Sequence, residues 1–196
     1  RRSSDLAGQT IKGMMAPKST DIGGMDDFLR MIEVDIKPRV AALARINTAD
    51  QTLFGHSLGG LTVVHALFTE PEAFRTFVAA SPSIWWADNA VLKDEAAFSA
   101  KVKAGAVHPR VLITVGALEQ QMPDLPPEMA ALKPQVEVLV AKARMVDNAR
   151  DLAARLQALN GQAPYKVADV AVFAEQQHGI SPWPAIGRAV AFAAQP

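Results

Sequence analysis

No cysteine occurs among the 196 residues. That excludes a disulfide framework, a thiol nucleophile and a thiolate-bound metal, and it leaves cytosol and periplasm equally open. Surplus charge is missing too, because 20 Lys and Arg stand against 20 Asp and Glu. There is no global field of the kind that marks a nucleic-acid or membrane-surface binder, so any charged ligand must be met locally. No apolar run reaches the roughly 18 residues that a membrane span needs. The opening RRSSDLAGQT carries charge with no apolar stretch behind it and does not read as a secretory signal. The first residue is not methionine, and the expectation is that an N-terminal part, with any targeting signal, lies outside this sequence. With 49% hydrophobic residues the chain can build a real core, and one domain over 1–196 is expected.

Residues 1–24 are polar, rich in Gly, Ser and Pro, and without either period, which predicts a loop. From Met25 the apolar residues Phe28, Ile32, Ile36, Val40 and Leu43 recur at helical spacing, with Asp26 and Asp27 in the first turn and Pro38 placed to kink or divide the helix. DQTLFG, RTFVAASP and PRVLITVG read as short buried strands, and KVADVAVF as a last one. Between them lie helical patterns. LTVVHALFTEPEAF carries a stripe through Leu61, Val64, Leu67 and Phe68. RMVDNARDLAARLQALNG puts Met145, Ala149, Leu152, Leu156 and Leu159 on one face, with Gly161 as a cap, and PWPAIGRAVAFA closes the chain. Strand and helix alternate, which predicts a three-layer α/β fold with a mainly parallel sheet. The stretch QQMPDLPPEMAALKP, taken as residues 120–134, is a proline-punctuated insertion.

LFGHSLGG, residues 53–60, puts Ser57 between the first strand and the helix after it. In the pattern G-x-S-x-G the serine takes a strained backbone at a strand-to-helix turn, and the positions two before and two after must be small. Gly55 and Gly59 meet that demand, and Gly60 permits close packing of helix on sheet. The pattern alone is common. Its placement between strand and helix makes Ser57 a candidate nucleophile rather than a helix-capping serine.

A serine hydroxyl needs a base within hydrogen-bond reach. His56 sits inside the turn, too close along the backbone to serve its neighbour. His65 lies two turns down the helix and His108 precedes Pro109 in a loop. His178 follows the last strand and precedes Gly179, matching the order serine, acid, histidine of α/β-hydrolases. The acid should follow an intervening strand. Glu119 does so, three residues beyond Gly116, with Asp124, Asp147 and a serine–histidine dyad without a strong acid as alternatives. The Leu58 N–H is one expected oxyanion donor. No stretch here reads as the loop that supplies the second.

GGMDDFL, FGHSLGGL, AASPSIWW, VLITVGALE and HGISPWPAIGRAVAF, between residues 23 and 192, resemble the esterase D-like branch of the α/β-hydrolases, and within it the siderophore esterases that open enterobactin- or bacillibactin-type esters. The resemblance implies that Ser57 and His178 are catalytic, that no cofactor is needed, and that the chain covers only the C-terminal half to two-thirds of the family's domain. The proline-rich HGISPWP and a variable acid depart from the family's pattern. Trp85 and Trp86 are substrate-binding candidates whose alternative is packing. Arg1 and Arg2 face a similar choice between an anionic iron complex and solvent. The expected function is ester cleavage through an acyl-enzyme. Acyl transfer to an alcohol and a catalytically inactive hydrolase-like binding module are the rivals. The expected partner is a small-molecule ester, with no nucleic acid and no membrane span, and the oligomeric state is open.

Overall fold

A computed structural model describes residues 23–161 and 165–195. The expected loop 1–24 falls outside them apart from Gly23 and Gly24, and Arg1 and Arg2 lie outside as well. The helical stripe that starts at Met25 becomes α1 (Met25–Met31), a π-helical step (Ile32–Ile36) and α2 (Lys37–Leu43). Pro38 has no N–H and its ring crowds the carbonyl four residues back. The chain accommodates it by widening the preceding turn, with the Lys37 N–H reaching Ile32 O, so the proline neither stops nor simply kinks the helix. Leu29 is buried, whereas Phe28, Val34, Ile36, Val40 and Leu43 stay exposed.

The three apolar runs form β1 (Thr52–His56), β2 (Thr76–Ala80) and β3 (Arg110–Gly116). The last strand is split into β4 (Lys166–Val167) and β5 (Ala171–Phe173), both parallel to β3. At the break the Ala168 N–H still donates to Val111 O of β3 (3.0 Å), while Gln157 Nε2 donates to Ala168 O (3.2 Å) and Asp169 Oδ1 (2.9 Å). The sheet runs β1-β2-β3-β4, with β5 on β3. Every described pairing is parallel.

The connections are helical: α3 (Leu58–Thr69) after β1, a 3-10 turn (Ala90–Asp94) with α4 (Glu95–Lys103) after β2, and α6 (Met145–Gln157) before β4. The proline-punctuated segment holds a 3-10 turn (Pro127–Leu132) and leads into α5 (Lys133–Ala143). The period of two assigns the strand residues to faces. Phe77, Ala79, Val111, Ile113 and Val115 meet α3, α4 and α6 in the main core, and Met145, Ala149, Leu152, Leu156 and Leu159 are all buried. α6 ends at Gln157. Gly161, at φ +101°, therefore lies beyond the helix end rather than capping it directly. Val78 and Leu112 point the other way, onto Ala189 and Phe192 of α7 (Pro182–Ala193). The layers are therefore α1, α3, α4 and α6 on one face, the sheet, and α7 on the other. Arg110 ties α7 down: its guanidinium donates to Gln195 O (2.6 Å) and Phe192 O (2.9 Å) at the helix C-terminus, where a cation suits the macrodipole.

Candidate active site

The C-terminal ends of β1, β2, β3 and β5 deliver one group each to the same rim of the sheet. At the end of β1, Ser57 has φ +60° and ψ −119°, a conformation ordinary L-residues avoid. Its N–H donates to Ala80 O (3.0 Å) and its carbonyl accepts from Leu61 N–H (2.9 Å), which hold the turn. A Cβ on Gly55 would strike the Gly59 carbonyl, and one on Gly60 would meet Ala80 O at 2.7 Å. A Cβ on Gly59 would meet nothing within 4 Å. The small residues this turn requires are thus Gly55 and Gly60, not Gly59. Although Ser57 immediately precedes α3, its side chain makes no capping bond.

The hydroxyl turns to His178 instead, with Ser57 Oγ 2.9 Å from Nε2. Nδ1 of the same ring is 2.7 Å from Glu119 Oε2. An ionised carboxylate can only accept, so Nδ1 carries the proton and Nε2 is free to accept from the serine. Glu119 lies in the turn after β3, its side chain fully buried while His178 is 43% exposed. Burial alone would push the Glu119 carboxyl up, but hydrogen bonds from His178, Ser81 and the Gly116 N–H outweigh it and hold the group below its usual range. The acid is anionic at neutral pH, as an orienting group must be.

The rival acids are elsewhere. Asp124 is exposed on the proline-punctuated segment. Asp147 accepts from Gln120 Nε2 (2.8 Å) at the start of α6, a bond that draws its carboxyl below the usual range. Of the other histidines, His65 Nε2 pairs with Asp26 Oδ1 (2.6 Å) across α3 and α1, and His108 is exposed before β3. His56 does not reach Ser57, but its ring lies on that of His178, centroids 4.6 Å apart. Burial, and then the neighbouring His178, keep its imidazole below the ordinary histidine range.

Leu58 opens α3, so its N–H is among the amides that no intrahelical carbonyl can satisfy. Its side chain, with Met25, Phe28, Leu61, Thr62 and Trp86, lines a cleft of about 290 Å³ beside the serine turn. Trp86 is half-buried there. Trp85, placed beside it among the substrate-binding candidates, instead packs against Ala143 and Met145 and meets Trp86 edge-on, centroids 5.6 Å apart. Sequence reasoning missed Ser81, Ser83 and Ser181. Ser81 Oγ donates to Glu119 Oε1 (2.6 Å), Ser83 Oγ is 3.4 Å from Ser57 Oγ, and Ser181 Oγ is 3.0 Å from Ser81 Oγ. The available signal was SPS directly after a buried strand, a place where the chain must leave the sheet at the same rim as Ser57. Among the described residues, no group of three or more His, Cys, Asp or Glu side chains gathers as a metal site, and no helix is long and apolar enough to cross a membrane.

Residues 10–160 match the family model described as "Putative esterase". The chain is 38% identical over 158 residues to the siderophore triacetylfusarinine C esterase of Aspergillus fumigatus, covering 80% of this chain and 52% of that protein. Against the ferri-bacillibactin esterase BesA of Bacillus subtilis it is 37% identical, covering 89% of this chain and 53% of the relative. Among solved structures, the siderophore hydrolase EstA of Aspergillus nidulans superposes with a TM-score of 0.77 at 31% identity, over 90% of this chain and 61% of EstA. The chain thus spans about half the length of the curated relatives it matches.

Proposed function

Because the chain belongs to this esterase family of α/β-hydrolases, we propose that the protein is a serine hydrolase that cleaves carboxylic esters through an acyl-enzyme. One observation carries the reading: an unbroken relay of 2.9 Å from Ser57 Oγ to His178 Nε2 and 2.7 Å from His178 Nδ1 to a buried, anionic Glu119. Ser57 attacks the ester carbonyl while Nε2 of His178 takes its proton. Glu119 holds the ring and stabilises its charged form. The Leu58 N–H, with the positive end of α3 behind it, meets the developing oxyanion. His178 then gives the proton to the departing alcohol. Water, activated by the same Nε2, attacks the acyl-enzyme and frees Ser57.

The proposed substrate is a siderophore ester. The named substrates of the relatives support this, and so does the aromatic and aliphatic cleft, in which Trp86 and Phe28 offer flat apolar walls and Trp85 backs Trp86 from the core. A fluorophosphonate probe followed by intact mass is the direct test. A single adduct is expected on the protein and none on Ser57→Ala, whose ester turnover should fall by about a thousandfold or more. A folded protein that takes no adduct and cleaves neither siderophore nor simple aryl esters would sink the reading. Product analysis in the presence of an alcohol separates hydrolysis from acyl transfer.

A further inference from the structure

Glu119 has one more torsion than an aspartate would, and its terminal torsion is broad. Something must stop the carboxylate from turning away from His178. Its two oxygens have different partners: Oε2 meets His178 Nδ1 at 2.7 Å, and Oε1 accepts from Gly116 N–H at 2.7 Å and from Ser81 Oγ at 2.6 Å. A hydroxyl has one proton, and a carboxylate only accepts, so the Ser81 proton is committed to Glu119.

Ser81 is 1% exposed and directly follows β2. It stands at φ +43°, in the left-handed region where a glycine would sit without strain. Its N–H donates to Thr114 O at 2.7 Å, which fixes the turn to β3. With its proton spent, Ser81 Oγ can only accept from the buried Ser181 hydroxyl 3.0 Å away. Ser181 lies three residues beyond His178, and its one proton is shared between Ser81 Oγ and the His178 carbonyl 3.2 Å away, both of which can only accept. The pair therefore joins the turn after β2 to the loop that carries the histidine.

We propose that Ser81 is a positioning residue, whose hydroxyl anchors the Glu119 carboxylate so that Oε2 faces His178, with Ser181 holding the Ser81 hydroxyl in place. The proposal rests on the triad reading above. Its test uses Ser81→Gly, which suits the backbone and lacks the hydroxyl, beside Ser81→Ala and Ser181→Ala in the intact protein. Two readouts are taken: kcat and KM for an aryl ester, and the far-downfield proton resonance of His178 Nδ1–H in the resting protein. Ser81→Gly should stay folded and keep its KM, lose about tenfold in kcat, and move the Nδ1–H resonance, with Ser181→Ala showing the same changes to a smaller extent. A Ser81→Gly protein with wild-type kcat and an unmoved resonance overturns the proposal, as does a loss confined to Ser81→Ala, which would mark a backbone effect. If the wild type cleaves no ester, the functional reading fails on its own, while the resonance still decides whether Ser81 positions Glu119.

Discussion

At the scale of single residues, two histidines share a small space and only one of them takes on a positive charge in the proposed cycle. His178 becomes positive when Ser57 attacks, and His56 lies against it with a depressed basicity. The sign of the consequence follows from linkage. Below the ordinary histidine value of about 6.5, the unfolded chain binds a proton at residue 56 that the folded chain refuses. Stability from this site is complete above that pH and is lost as the pH falls towards the depressed value. A melting series from pH 7.5 to 5 should show this slope, and His56→Gln should flatten it. A slope that survives His56→Gln would mean that the fold does not depress the basicity of His56. Glu119 acts in the same direction at lower pH, since its carboxyl is also depressed. Its share is held above about pH 4.3, the ordinary glutamate value, and lost as the pH drops through the folded value.

At the scale of elements, the serine turn makes a sharp distinction between neighbouring glycines. Gly55→Ala forces a methyl into the Gly59 backbone and should cost about 1–3 kcal/mol, together with the geometry of Ser57. Gly59→Ala has open space in front of it and removes a helix-weakening residue from the first turn of α3. It should be neutral or stabilise by up to about 1 kcal/mol. Chemical denaturation of the two variants checks the order. This contrast also marks how far the sequence was readable. G-x-S-x-G between a strand and a helix located Ser57, and the fully buried β3 announced itself as an apolar run because parallel strands are covered on both faces. Local patterning could not reveal that Pro38 would be absorbed by a π step, or that Gln157 would meet the last strand at a break, because both depend on which partner the backbone finds. Ser81 and Ser181 were illegible for a similar reason. They are ordinary serines 100 residues apart in sequence, and only the assembled rim brings them to Glu119.

At the scale of the whole molecule, cover is uneven. One face of the sheet meets α3, α4 and α6, whereas the smaller core beneath the other face draws its helical residues, Ala189 and Phe192, from α7. The outer side of α7 is itself apolar: Trp183 is 74% exposed, Val190 65%, and Ile186 lies between them at helical spacing. Such a patch on a neutral chain favours association. Sedimentation velocity on the 196-residue chain should show concentration-dependent self-association that Trp183→Lys with Val190→Lys reduces. A wild-type chain that sediments as a monomer at every concentration would show the patch to be harmless.

The relay joins Ser57 directly to His178, 121 residues further on, and ends at a carboxylate that stands between them in sequence. Nothing local can pre-form it, since each group is carried to the rim by a different strand and the histidine arrives on the last. During refolding, the proposed ester turnover would serve as a clock for the docking of β5 beside β3. Helical signal can return early, but catalytic activity should reappear only with that step, and never ahead of it.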